Sequence, residues 1–173
     1  MMICDLLIFD AADAAASWTA VDDRVMGGVS HSGMRYDAAG YAVFEGTVSL
    51  ERNGGFASVR SKASTPLPPG FPRLTSYVLE VQGDGKRYKL TLRTDDAFDG
   101  ISYQAPFEPP VGVWTTVTLP LSAFTPSFRG QSVPDAPALD PARVCQVGLM
   151  IADRQDGDFA LALRAIRAAA SPD

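Results

Sequence analysis

A β-sandwich is the fold class this sequence predicts, and three observations predict it. Apolar residues recur at every second position in run after run, which is the period of a half-buried strand. The runs are short, about nine in number, and are separated by glycine-, asparagine- and aspartate-rich turns. No stretch sustains the 3.6-residue apolar period that a packed helix needs.

In chain order, Ile3–Phe9 opens as an apolar strand, and Asp13-Ala14-Ala15-Ala16 predicts one helical turn before Trp18. The string Val21–Ser30, VDDRVMGGVS, leads into the sheet. Its adjacent glycines lack G-x-G-x-x-G spacing and precede a strand rather than a helix, so they read as a bend and not a phosphate cradle. Tyr41–Leu50 puts Phe44, Gly46, Val48 and Leu50 on one face and Tyr41, Glu45, Thr47 and Ser49 on the other. After Asn53-Gly54-Gly55 comes the run Gly55–Lys62. Ser76–Val81 alternates Tyr77, Leu79 and Val81 against Ser76, Val78 and Glu80. Gly83-Asp84-Gly85 reads as a hairpin turn into Lys86–Thr94, and Asp99-Gly100 as the reversal into Ile101–Phe107. Trp114–Leu119 follows.

Three connections, Thr65–Leu74, Phe107–Val113 and Thr125–Arg143, are long and proline-rich. In the last, Asp140-Pro141 has the cap and first-position proline of a short helical turn, and Ser122 is placed to cap another. Cys145–Ala152 contains QVGLMIA, apolar on both faces and therefore predicted central and fully buried. Phe159–Ile166 ends the series after Asp156-Gly157.

The bulk numbers set limits. The 173 residues suit one domain, 1–173, with one sizeable core. Hydrophobic content of 46% with 20% charged residues is that of a globular chain. A formal charge of −5 opposes general binding to nucleic acid or anionic lipid, because both need a positive field. No apolar stretch approaches the ~20 residues of a membrane span, and the opening residues carry no basic segment. The reading is a cytoplasmic protein that does not insert into membranes. Cys4 and Cys145 lie far apart without metal-ligand spacing and read as reduced, core-packed thiols.

Catalytic chemistry is scarce. His31 is the one histidine; Ser30 and Ser32 flank it, but no glycine-framed serine elbow is present, so it reads as an exposed loop residue. Asp95, Asp96 and Asp99 offer oxygens of the kind calcium takes, without the spacing of an EF-hand; the plainer reading is a solvated turn. No cofactor is expected.

Several strings together resemble one family. They are WTAVDDRVMGGVS (Trp18–Ser30), FEGTVSLERNGGFASVRS (Phe44–Ser61), GDGKRYKLTLRTDDAFDGISYQAPF (Gly83–Phe107), WTTVTLP from Trp114, FTPSFRG (Phe124–Gly130) and VGLMIADRQDGDFAL (Val147–Leu161). In order and spacing they are similar to the complex I intermediate-associated protein family, with the core of the resemblance over about residues 18–166. The resemblance implies a galactose-binding-domain-like jelly roll, close in architecture to many carbohydrate-binding modules. It also implies a role in assembling respiratory NADH:ubiquinone oxidoreductase, as for eukaryotic members, and no established catalysis. The acidic rather than arginine-rich start reads as that of a bacterial-type, stand-alone member.

Alternation also points to a place for a site. Arg87, Lys89, Thr91 and Arg93 share one side of their run; Phe56, Ser58, Arg60 and Lys62 share one side of theirs; so do Ser102, Gln104 and Pro106. If these sides line one sheet, Arg60, Arg93 and Gln104 converge on a groove; the pattern leaves the side taken by Tyr103 open. Arg24, Arg129 and Asp153, in or beside the family-like strings, are placed to complete it from the loops. Guanidinium groups with aromatic neighbours suit a peptide, a carboxylate or sugar hydroxyls. Equally, these arginines pair with local aspartates and brace loops. The functional expectation is a non-enzymatic binding module that engages a protein partner, a respiratory-complex subunit or assembly intermediate. The alternative is a carbohydrate-binding module.

Overall fold

The computed structural model describes residues 2–22, 28–51, 55–62, 67, 71, 73–94, 100–128 and 131–170, and thirteen strands run through them. One sheet holds β1 (Met2–Ile8), β3 (His31–Asp37), β4 (Tyr41–Val48), β6 (Leu74–Gln82), β9 (Trp114–Pro120) and β13 (Gly157–Ala170). Its order is β3-β4-β13-β6-β9, and β1 pairs with the second half of β13 beyond the residues that β4 takes. The other sheet holds β2 (Thr19–Ala20), β5 (Ala57–Arg60), β7 (Tyr88–Arg93), β8 (Ser102–Phe107), β10 (Thr125–Phe128), β11 (Gln131–Ser132) and β12 (Gln146–Ile151), in the order β11-β10-β8-β7-β12-β5-β2. Every strand pair is antiparallel.

The architecture is the expected all-β jelly-roll sandwich, and the chain changes layer repeatedly. Gly83-Asp84-Gly85 is therefore no hairpin: it carries the chain from β6 in the first sheet to β7 in the second. Turn residues mark a reversal; they do not say whether the flanking strands pair. The strand β12 is central, between β5 and β7, but only Val147, Leu149 and Ile151 enter the core. Gln146 and Met150, on its other face, are partly exposed, so the full burial expected of QVGLMIA is corrected to burial on one face. A helical turn, α1, covers Ala12–Ala16. A 3-10 turn covers Pro141–Arg143, where Asp140 Oδ1 accepts from Ala142 N at 3.0 Å. At Leu121–Ala123 Ser122 lies inside the turn and caps nothing.

The alternate residues of both sheets meet between the layers. Leu79, Val81, Leu161, Leu163 and Ile166 pack from the first; Val59, Leu90, Leu92, Ala105 and Leu149 pack from the second. An aromatic cluster joins them, with Phe44–Phe159 ring centroids 4.9 Å apart and Phe44–Tyr88 6.1 Å apart. Cys4 and Cys145 are not joined in a disulfide and are only partly buried.

Two carboxylates bracket the layers. Asp22, 6% exposed, accepts from Ser32 N (3.0 Å) and Ser32 Oγ (2.5 Å) on β3, and from Ser58 N (3.0 Å) on β5. The first of the paired aspartates in VDDR is thus an inter-sheet fastener. Asp84 accepts from Tyr88 Oη at 2.9 Å in one sheet and from Ala160 N at 2.8 Å in the other, where β6 has ended and left that amide without a strand partner. Burial pushes the Tyr88 phenol well above its ordinary range, and the Asp84 carboxylate adds to the shift.

Candidate functional site

The outer faces of the two sheets differ in chemistry. The strands of the first sheet supply Asp5, Asp37, Glu45, Glu80 and Asp158 along with Arg35, Arg164 and Arg167. These form ion pairs: Arg35–Glu45 at 3.1 Å, Arg167–Asp5 at 2.8 Å, Arg167–Glu80 at 3.2 Å and Arg164–Glu80 at 3.4 Å. Glu45 keeps the Arg35 guanidinium more firmly protonated than usual. Trp114 opens the edge strand β9, under the Arg164 guanidinium at 4.0 Å and edge-on to Tyr41. The other tryptophan, Trp18, is buried against Phe9 and is no stacking platform.

Among the described residues, the strands of the second sheet supply no aspartate or glutamate, and three cations: Arg60, Lys89 and Arg93. All three occupy the alternate positions that point away from the core. The strand register arranges this face in rows. Arg60, Gly148, Thr91, Gln104 and Thr125 stand opposite one another across five strands. One row to one side lie Gln146, Arg93, Ser102 and Ser127; one row to the other lie Ser58, Met150, Lys89 and Pro106. With strands ~4.8 Å apart, the middle row spans about 19 Å.

Of the sequence-predicted residues, Arg60, Arg93 and Gln104 come together here. Arg93 Nη1 donates to Gly100 O at 3.0 Å, and Gln104 Nε2 donates to Ser102 Oγ at 3.1 Å. Asp153 lies at the rim, in the turn after β12, with its carboxylate 3.8 Å from Lys89 Nζ and 3.9 Å from Arg87 Nε. Tyr103 does not join them. It is 5% exposed and turned inward, and its hydroxyl donates to Pro137 O at 2.7 Å. There it lines a crevice of about 470 Å³ with Phe124, Pro126, Pro134 and Leu139. Arg24 and Arg129 lie outside the described residues, as do Asp95, Asp96 and Asp99.

Lys89, Thr91 and Gly148 complete the face and are not among the residues that the sequence singles out for a site. The signal available was the outer series Gln146, Gly148, Met150, masked by the apolar look of the run. A Cβ at Gly148 would come within 2.4 Å of Thr91 Oγ1 and 2.9 Å of Val59 O, so glycine is required for the strands to approach as they do. The serines near His31 are committed elsewhere. Ser32 Oγ donates to Asp22, Ser30 Oγ accepts from Ser49 N at 2.8 Å, and His31 stands exposed at the start of β3. Among the described residues no three His, Cys, Asp or Glu side chains are grouped to hold a metal ion.

Two packed antiparallel sheets give the chain a jelly-roll β-sandwich fold, the architecture of carbohydrate-binding modules. It superposes on a family 11 carbohydrate-binding module from Clostridium thermocellum, solved in complex with a β-1,3-1,4-mixed-linked tetrasaccharide. The TM-score is 0.67 at 16% identity, over 98% of this chain and 96% of that one. The chain belongs to the complex I intermediate-associated protein 30 family, whose profile matches residues 7–163. An uncharacterised protein of Schizosaccharomyces pombe is 32% identical over 167 residues, which cover 86% of this chain and 76% of that protein. The mitochondrial complex I intermediate-associated protein 30 of Drosophila melanogaster is 28% identical over 175 residues. The match covers 88% of this chain but 58% of the Drosophila protein, so the chain spans little more than half its length. Among the described residues, no helix is long and apolar enough to cross a membrane.

Proposed function

We propose that this chain is a non-enzymatic binding module of the complex I assembly-factor type, which engages a protein partner through the outer face of its seven-stranded sheet and the loops beside it. Family membership supports the assembly role. The observation that carries the choice of surface is the chemistry of the face itself: cations, amides and hydroxyls, with no acid from any of its strands. A protein segment supplies carboxylates and backbone carbonyls to such donors.

The second reading, a carbohydrate-binding module, is favoured by the architecture. Sugar rings present apolar faces that aromatic side chains cover well. The outward positions of β5, β7, β8 and β12 carry no Trp, Tyr or Phe, which favours the protein partner.

The test is an affinity pull-down from the native organism, run with the wild type and with an Arg60→Ala/Arg93→Ala variant. A respiratory-complex subunit or assembly intermediate is recovered by the first and lost by the second. Recovery of no protein by the wild type, together with hits on a glycan array, overturns the reading.

A further inference from the structure

We infer that two copies of this chain join through the free edge of β9, antiparallel about a two-fold axis, with the exposed valines that precede β9 in each copy seated at the crevice that follows β9 in the other. This surface belongs to the first sheet and is independent of the partner face proposed above.

A strand at a sheet edge offers unpaired amides and carbonyls to any extended chain, and natural edges are blunted by charge, by a bulge or by brevity. Among the described residues, the other edges follow that rule. β2 and β11 are two residues long each, β3 carries His31, Arg35 and Asp37, and β1 carries Asp5 and a register shift between Asp5 and Leu7. β9 has none of these devices. Its seven residues, WTTVTLP, pair with β6 without a register shift, carry no charge and place proline only at the last position. Among the described residues no strand pairs with its other edge. Pro109–Phe128 is the longest stretch of the chain without a charged side chain. In a chain of net charge −5, such an edge lets a second, equally acidic copy approach without like charges meeting.

The two ends of β9 differ in shape. Before it stand Val111 and Val113, 67% and 55% exposed. Their loop is tied down: Gly83 N donates to Pro110 O, Gly112 N donates to Gly83 O, and Gln82 Nε2 donates to Gly112 O, each at 3.1 Å. After β9 comes the crevice of about 470 Å³, whose wall begins at Leu121 and Ser122 and continues through Phe124, Pro126 and Leu139. An apolar knob at one end of an edge and an apolar hollow at the other complement each other under a two-fold axis. Setting Val117 opposite its own counterpart places Thr116 opposite Thr118, Val113 opposite Leu121 and Val111 opposite Ala123. Both valines then reach the rim of the crevice, and the exposed threonines pair across the axis, a favourable combination. The interface takes in about twenty residues of each copy, at the low end for a specific contact, so the dimer dissociates on dilution.

Sedimentation velocity on the purified chain, from about 1 µM to about 500 µM, tests this. The sedimenting species shifts from one chain to two as concentration rises. Thr116→Lys/Thr118→Lys, at exposed positions, sets like charges opposite each other and weakens the dimer by about tenfold or more. Val111→Asp, which puts a charge where an apolar side chain is seated, weakens it to a similar extent, about tenfold. Ala38→Lys/Ala39→Lys adds the same charge in the exposed turn beyond β3 and leaves the dimer unchanged. Both lysine variants bring the net charge nearer zero, so loss of the dimer in the β9 variant alone is local. Urea midpoints near that of the wild type confirm that the variants are folded. The dimer also withstands Arg60→Ala/Arg93→Ala, which lie on the other sheet. A chain that stays single over the whole range overturns the inference, as does a dimer that withstands both Thr116→Lys/Thr118→Lys and Val111→Asp.

Discussion

Replacing Asp22 with alanine removes a buried carboxylate that three donors from two sheets share. The backbone amides of Ser32 and Ser58, each 3.0 Å from it, are left without that acceptor, at about 1–3 kcal/mol apiece. The Ser32 hydroxyl suffers less, because it can turn fully to Ser58 O, already 3.2 Å away. Relief of the carboxylate's own desolvation offsets part of the loss, which leaves about 2–4 kcal/mol. That is a large share of the ~5–15 kcal/mol by which a domain is stable. Asp22→Asn keeps one acceptor oxygen but turns an amide group toward one of the donors, at about 2 kcal/mol. Urea unfolding followed by tryptophan fluorescence measures both, since Trp18 is buried nearby in sequence. With a slope of about 2 kcal/mol per molar, the alanine variant's midpoint falls by about 1–2 M at unchanged slope. A fall equivalent to less than about 0.5 kcal/mol would refute the fastening role.

Further outcomes follow from other contacts. Burial raises the Tyr77 and Tyr88 phenols, so the folded chain holds protons that the unfolded chain releases above about pH 10. Their contribution is whole below that pH and drains as pH rises, by about 1.4 kcal/mol per pH unit for each phenol. Urea midpoints taken from about pH 9 to pH 11 should show this loss, and Tyr88→Phe should shed its share of the slope. Gly148→Ala should cost about 1–3 kcal/mol in the same assay through overpacking. Adding Thr91→Ala should restore only part, because Val59 O, a backbone atom, remains 2.9 Å from the new methyl. Arg167→Ala, which loses partners at 2.8 and 3.2 Å, should cost up to about 1 kcal/mol, whereas half-exposed Arg35→Ala should stay within about 0.5 kcal/mol.

Period-two alternation made the interior strands legible. Four of the strands were not. The run His31–Asp37 forms a sheet edge with both faces partly open, so HSGMRYD carries no clean apolar stripe. Pro126 makes β10 read as loop, although near a sheet edge its missing amide costs little. Thr19–Ala20 and Gln131–Ser132 are too short to show a period. The same alternation put Arg60, Arg93 and Gln104 on outward positions. The row that joins them depends on β12 inserting between β5 and β7, a long-range pairing that no local pattern encodes. Tyr103 was ambiguous because Ser102 and Gln104 beside it are also polar enough to leave both parities open. Asp22 looked like a loop charge because its donors, Ser32 and Ser58, are distant in sequence.

The proposed function puts the partner on the outer face of the seven-stranded sheet. Photo-crosslinking tests it most directly, with p-benzoylphenylalanine placed at Gln104 on that face, or at Thr116 on the outer face of the other sheet, in cells of the native organism. A protein adduct is expected from position 104 that disappears when Arg60→Ala and Arg93→Ala are added, and none, other than with a second copy of this chain, from position 116. An adduct with another protein from 116 without one from 104 would contradict it.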